Sequence, residues 1–182
     1  MNQALCLYKH DDLKSIAYFL GQAAAETLDL VYKEEIASGS GYEGRASLGN
    51  IYSGDGKRFK GRGMIQLTGR YNYEGFQKYA RKKLHKYALL DITTSDDNAQ
   101  KLVDNLELNI LASLWYWTKS KKSIKIQKQL SSTTTSIFWV SVYVNGWAVQ
   151  NHPHYSNRER EPNHMDKRIN ATNVAKKALG VD

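Results

Sequence analysis

The stretch FLGQAAAETLDLVYKEE, residues 19–35, combines a helix with its end and carries an acid on each side of the break. Nine residues of continuous helix would turn Glu26 and Glu35 to opposite faces. The β-branched and aromatic pair Val-Tyr between them favours extended chain. The helix is therefore predicted to break after about Leu28, which allows the chain to fold back and the two acids to face each other.

Glu26 lies beside the apolar face of this helix, because seven positions bring it back almost above Phe19. A carboxyl group that loses hydration is easier to keep protonated and can serve as a general acid. The alternative is a glutamate at the edge of the core whose carboxylate reaches solvent. Glu35 has the same two interpretations, catalytic base or solvated acidic turn, and Glu34 and Glu43 are rivals for its role.

The composition indicates one compact domain over residues 1–182. The net charge is +8 and the pI is about 9.4, which favours polyanionic partners such as nucleic acid, anionic lipid or anionic cell-wall polymer. Cys6 is the only cysteine, so neither an internal disulfide nor a cysteine metal cluster is expected. Neither a membrane-spanning segment nor a signal peptide is expected from the sequence.

Helical periodicity predicts one mainly α domain. Residues 36–63 are rich in glycine and predict a small extended or hairpin lobe. Helices are expected to begin at the Asp11–Asp12 and Ser95–Asp97 caps and near Asn72, and a last one to stop at Gly180. The short stretch MIQLT is expected to be extended, and IFWVSVYVNGW fits either a strand or a buried helix.

The segment GDGKRFKGRGMIQLTGRYNY, residues 54–73, allows two interpretations. Its four basic residues within six positions suit a phosphate-binding loop with interleaved aromatics. However, its glycines match neither nucleotide-binding pattern. The neutral polar residues that follow suit a sugar or a positioned water better.

Three stretches, FLGQAAAET, KEE and YEGRASLGNIYSGDGKRFKGRGMIQLTGRYNY, together resemble glycoside hydrolase family 19, which includes plant-type chitinases and endolysins. The resemblance is clear over residues 16–75 and weaker around ASLWYW (112–117) and YVNG (143–146). It implies a mainly α fold of the α+β, lysozyme-like kind, in which the glycine-rich lobe flanks a substrate cleft. It also implies cleavage of β-1,4 bonds between amino sugars with inversion and without a cofactor or metal. Inversion needs carboxyl groups about 6.5–9.5 Å apart.

The resemblance also implies roles for single residues. Glu26 matches the general acid, Glu35 the carboxylate that activates water, and Thr68 the residue that helps to hold that water. The positions that match sugar-binding or cleft residues are Gln66, Tyr71, Asn72, Asn145 and Arg168. The sequence departs from the family pattern at Ala25, where a histidine usually precedes the acid.

The expected partner is peptidoglycan, which the positive charge favours over neutral chitin. Chitin is the alternative substrate, and a catalytically weak basic protein that binds wall polymer or nucleic acid is the second alternative. A phage lysin or a secreted antibacterial toxin would be made in the cytoplasm and exported through holin-type holes or a secretion machine. A toxin would add a neutralising immunity protein as a partner; neither membrane insertion nor nucleic acid binding is expected. The histidines at 152, 154 and 164 are interpreted as solvated loop residues and not as metal ligands.

Overall fold

The computed structural model describes residues 2–8, 11–146 and 162–181. Within these ranges the chain is mainly helical, as predicted, and ordered strands are replaced by isolated bridges. The α-helices are α1 (Asn2–Leu7), α2 (Leu13–Glu26), α3 (Asp55–Arg58), α4 (Arg70–Lys83), α5 (Asp96–Asp104), α6 (Leu106–Lys119), α7 (Ser123–Leu130), α8 (Ile137–Asn145) and α9 (Met165–Leu179). Short 3-10 turns cover Ser40–Tyr42, Ala46–Leu48 and His85–Tyr87. None of the helices in these ranges combines the length and apolar character needed to cross a bilayer.

Helix α2 begins and ends where local chemistry dictates. The Asp12 carboxylate accepts the Lys14 N–H at 3.0 Å and caps the first turn. At the other end the Thr27 hydroxyl donates to the Ala23 carbonyl and accepts the Leu30 N–H. Residues 28–30 then adopt positive φ values of 48°, 61° and 68°, which reverses the chain. The predicted break is confirmed, and the helix ends at Glu26, two residues before the expected position.

The core joins α2 to the helices that follow it in sequence. Trp117 of α6 is fully buried and packs edge-on against Phe19, with 5.5 Å between the centres of the two rings. Its indole N–H donates to the Ser15 hydroxyl at 2.9 Å. α2 also crosses α9 at very short range. A Cβ at Gly21 would lie 2.1 Å from Thr172 Oγ1 and 2.7 Å from its backbone, so only glycine permits this crossing. The crossing brings α9 beside the C-terminal end of α2.

The glycine-rich lobe contains no regular strand among the described residues. Arg62 forms one bridge to Glu34 and a second to Leu67, and MIQ forms the tight turn between Arg62 and Leu67. The extended conformation expected for MIQLT is therefore wrong for its first three residues. Gln66 closes the turn with a φ of 51°, a conformation that an extended segment excludes.

Three other segments refine the sequence-based expectations. IFWVSVYVN is a helix, capped by the Ser136 side chain, despite its β-branched residues. The helical region predicted from residue 95 onward divides at Asn105, whose side chain accepts the Leu108 N–H and starts a new helix. α4 begins at Arg70, close to the expected Asn72, and α9 stops at Gly180 in the left-handed conformation, as predicted.

Candidate active site

A cleft of about 470 Å³ separates the helices from the glycine-rich lobe. Both acids of the opening stretch line it, Glu26 at the end of α2 and Glu35 in the chain that folds back. Six of the eight residues predicted for the site line the cleft: Glu26, Glu35, Gln66, Thr68, Asn72 and Asn145. A second cavity of about 410 Å³ also has both Glu26 and Glu35 in its wall.

Glu26 is held by a buried network on the helical wall. Arg168 Nη2 of α9 donates to Glu26 Oε1 at 2.7 Å, and the Arg168 side chain is only 1% exposed. The same guanidinium donates to Gln22 Oε1 at 2.6 Å and to the Asn163 carbonyl at 2.8 Å. Gln22 in turn donates to the Ser141 hydroxyl of α8 at 3.0 Å. Three helices therefore fix the position of one carboxyl group.

The surroundings of Glu26 are otherwise apolar or neutral. The side chain of Glu26 is 13% exposed, and Ala25 beside it is buried. Burial, with the negative charge of Glu26 as the smaller cause, raises the pKa of Tyr116, so its phenol stays neutral in the cleft wall. Ala25 offers no polar group to the acid, and its electrostatic support comes from α9 instead.

Glu35 is held in a different way, by the glycine-rich lobe. The Tyr42 hydroxyl donates to Glu35 Oε1 at 2.9 Å, and the Gly61 N–H donates to Oε2 at 3.0 Å. The backbone of Glu35 donates to the Gly61 carbonyl and accepts from Lys60 Nζ. Burial and the hydrogen bond to Glu35 raise the pKa of Tyr42 to about 12. Tyr42 therefore remains a hydrogen-bond donor across the whole neutral range.

The two rival acids are engaged in structural contacts. Glu34 forms ion pairs with Arg62 at 3.0 Å and with Lys60 at 3.3 Å. Glu43 accepts the backbone N–H groups of Gly54 and Gly56, both at 2.7 Å, and so closes the loop. Both carboxylates are occupied in holding the lobe together. Glu43 lines neither cavity, and Glu34 lines only the second one, where its carboxylate is held by Arg62 and Lys60. The geometry thus favours Glu35 as the partner of Glu26.

A small space beside Gly61 faces three polar oxygens. A Cβ at Gly61 would lie 3.3 Å from Glu35 Oε2, 3.3 Å from Thr68 Oγ1 and 2.7 Å from Gln66 Oε1. The Thr68 hydroxyl donates to the Gln66 carbonyl at 2.8 Å, so its lone pairs remain able to accept. The absence of a side chain at Gly61 allows a water-sized group to contact these oxygens.

The remaining predicted residues differ in position. Asn72 donates to the Thr68 carbonyl at 2.8 Å, and Asn145 accepts the Asn163 N–H at 3.0 Å, so both are fixed at the edge of the cleft. Tyr71 does not line either cavity; it is 63% exposed and its ring lies against Gly49. Its role in binding sugar stays a prediction.

The basic run of residues 57–62 is largely neutralised within the molecule. Lys57 and Arg58 pair with Asp96, at 3.0 and 3.3 Å. Lys60 and Arg62 pair with Glu34, and Arg62 is almost completely buried. A row of free cations, which phosphate binding requires, is not present at this run.

Sequence reasoning missed several contributors to the site. Tyr42 and Gly61 support Glu35, and their contacts depend on the path of the loop. Gln22 lies one helical turn before Glu26, so helical spacing was the available signal for it. No group of His, Cys, Asp and Glu able to hold a metal ion occurs in the described part of the chain. Two of the three histidines considered, at 152 and 154, lie outside it.

The chain is similar to known proteins both in sequence and in fold. No family model matches the chain. A "Glycosyl hydrolase family 19 domain-containing protein" of Haemophilus influenzae is 34% identical over 85 residues, which are 47% of this chain and 36% of that protein. The match thus spans about a third of the relative's length.

Solved structures extend the likeness to the whole fold. A chitinase C variant aligns over 99% of this chain and 82% of its own, with a TM-score of 0.63 and 18% identity. The chain resembles glycoside hydrolase family 19. A bacterial family 19 chitinase aligns over 98% of this chain and 84% of its own, with a TM-score of 0.62 and 19% identity. The family 19 fold accounts for the helical architecture, and the predicted resemblance is confirmed.

Proposed function

We propose that the protein is an inverting glycoside hydrolase that cleaves the glycan strands of peptidoglycan at β-1,4 bonds between amino sugars. The observation that carries the proposal is the placement of Glu26 and Glu35 on one cleft, each with its own set of donors. Two carboxyl groups across a sugar-binding cleft are the requirement for glycoside hydrolysis, and inversion needs them about 6.5–9.5 Å apart.

Glu26 would act as the general acid. Its Oε1 accepts from Arg168, and in the described residues no donor contacts Oε2, which leaves that oxygen for the glycosidic oxygen. When the proton leaves, the guanidinium stabilises the carboxylate that remains. Arg168 thereby favours the transition state, in which this negative charge develops.

Glu35 would act as the general base. Tyr42 and Gly61 orient its two oxygens and still leave lone pairs on both. A water beside Gly61 can donate one hydrogen to Glu35 Oε2 and the other to Thr68 Oγ1. Such a water has its remaining lone pair available for the anomeric carbon.

The substrate is the less constrained part of the proposal. A net charge of +8 attracts the anionic bacterial wall. Chitin is the second candidate, because two solved structures with this fold are named as chitinases. A binding protein without catalysis is supported only by Ala25, which removes a polar neighbour from the acid.

The test of the mechanism is Glu26→Gln, which keeps the shape and can still accept from Arg168 but carries no acidic proton. General acid catalysis contributes about 10²–10⁴-fold, so we expect wall lysis by the variant to fall by at least about 10²-fold. The loss of turbidity of purified cell walls measures activity on peptidoglycan, and sugar release from chitin oligomers measures activity on chitin. Equal lysis by wild type and variant would falsify the mechanism, and mass spectrometry of digested peptidoglycan identifies the bond cleaved.

A further inference from the structure

Two cations in the cleft differ from the other basic residues around it. Arg45 of the glycine-rich lobe and Lys122, just before α7, line the same cleft as Glu26 and Glu35. Both are exposed, and no carboxylate among the described residues pairs with either of them. The charge of each cation is therefore available to a ligand in the cleft.

The cations of the basic run, Arg70 and Arg168 are occupied, in contrast to this pair. The five basic residues between positions 54 and 70 all form ion pairs, with Asp96, Glu34, Asp55 or Glu74. Arg168 is bound to Glu26. Within the described residues the guanidinium of Arg45 lies over an aromatic face, with its carbon 5.3 Å from the centre of the Tyr42 ring. That contact orients the side chain and leaves its charge unneutralised.

The two cations belong to opposite walls. Arg45 lies with Tyr42 and Leu48 in the lobe, whereas Lys122 lies with Tyr116, Val144 and Gly146 on the helical wall. A glycan strand in the cleft would pass between them. Unpaired cations contribute little to binding a neutral sugar, but each can form a charge-assisted hydrogen bond with a carboxylate on a branch of the strand.

We propose that Arg45 and Lys122 form a carboxylate subsite that makes the cleft prefer anionic glycan strands to neutral ones. The proposal rests on the proposed function of the same cleft and specifies its substrate class. The carboxylate is carried on the lactyl branch of muramic acid, either as the free lactyl group or as part of a peptide attached through it.

The test measures binding, so that it does not depend on turnover. Glu26→Gln protein is compared with the same protein carrying Arg45→Gln and Lys122→Gln, by calorimetry at low salt. Three probes of equal length are used: a neutral chitin oligomer, an N-acetylglucosamine–N-acetylmuramic acid oligomer with free lactyl groups, and the peptide-bearing form of the latter. The quantity of interest is the ratio of the affinity for each anionic oligomer to the affinity for the neutral chitin oligomer.

We expect the Arg45→Gln, Lys122→Gln pair to lower that ratio by about tenfold or more, the loss expected from charge-assisted contacts. A loss on the free lactyl oligomer identifies the lactyl carboxylate, and a loss confined to the peptide-bearing oligomer identifies the peptide carboxylates. Either result supports the subsite. The preference should also shrink as salt rises.

The control is Lys82→Gln with Lys128→Gln, which removes the same net charge from exposed residues on α4 and α7 that do not line the cleft. This pair should leave the ratio within about twofold, because neither side chain lines the cleft and neither can form a charge-assisted hydrogen bond with a carboxylate bound there. An equal ratio in the cleft pair and the starting protein overturns the subsite. Failure of the wild-type protein to cleave any probe overturns the proposed function and leaves the binding result to decide the subsite.

Discussion

The two walls of the cleft hold their carboxyl groups by different means. On the helical wall, a buried guanidinium and three helices fix Glu26. On the lobe wall, a tyrosine hydroxyl and a backbone N–H hold Glu35, and the chain around it has turns and bridges instead of regular elements. The acid is positioned by charge and the base by neutral donors.

This difference suits the opposite tasks of the two groups. A general acid gains from a cation nearby, because it becomes negative as it reacts. A general base begins as a carboxylate and becomes neutral, so a permanent cation bound to it would oppose the reaction. Neutral donors orient Glu35 without that cost. Substitutions on the helical wall should therefore affect folding as well as catalysis, and those on the lobe wall mainly catalysis.

Arg168→Gln tests the helical wall and should have the largest effect. It leaves the carboxylate of Glu26 mostly buried without its cation, which typically costs about 3–5 kcal/mol. We expect the free energy of unfolding to fall by about that amount, together with a loss of activity. Urea denaturation followed by circular dichroism measures it.

A double-mutant cycle identifies the origin of the loss. If the unpaired carboxylate is responsible, adding Glu26→Gln to Arg168→Gln should recover part of the stability, because the second change removes the buried charge. A cost of Arg168→Gln below about 1 kcal/mol, the range of surface pairs, would contradict the account of the helical wall.

Gly61→Ala tests the lobe wall, where activity should suffer more than stability. The new methyl group would occupy the space between Glu35 Oε2 and Thr68 Oγ1, and its nearest contact is the movable end of the Gln66 side chain. Displacing the attacking water should lower kcat by about 10²-fold, the size of effect known for small misplacements. We expect the free energy of unfolding to change by less than about 1 kcal/mol.

Gly41→Ala is the matched control, because a Cβ there meets nothing within 4 Å. It adds the same methyl group to the same lobe and should leave kcat within about twofold. If Gly61→Ala and Gly41→Ala turn over substrate equally, the water is not held beside Gly61.

The two walls also differ in how far the sequence predicts them. Both ends of α2 follow from local chemistry, since the Asp12 cap at its start and the weak helix formers beyond Leu28 lie within the segment itself. The placement of Glu26 at the edge of the core follows from helical period. Its cation lies 142 positions away, and only the family resemblance pointed to it.

The contacts that hold Glu35 on the lobe wall could not be predicted from local sequence. The donors to Glu35 depend on where a glycine-rich loop returns, and glycine content predicts a turn without its path. The same limit applies to MIQLT, which was expected to be extended and forms a turn at Gln66. The division at Asn105 had a local signal, because Asn caps helices as Asp12 does.

Tyr42→Phe should have the smallest effect and is the sharpest test of how the base is held. The hydroxyl stabilises the carboxylate of Glu35 by one hydrogen bond, worth about 0.5–1.5 kcal/mol net. Its loss should lower kcat/KM by about tenfold or less. Because the raised pKa of Tyr42, about 12, keeps the wild-type hydroxyl protonated throughout the assay range, the effect concerns only Glu35.

The sign of the pH effect distinguishes tuning of the base from simple damage. Without the donor, protonated Glu35 becomes relatively more stable, so the acidic limb of kcat/KM against pH should move to higher pH. The alkaline limb, which reports the general acid, should stay in place. A uniform fall in kcat/KM with both limbs unmoved would show that Tyr42 shapes the lobe without acting on the base, and the two walls would then differ only in rigidity.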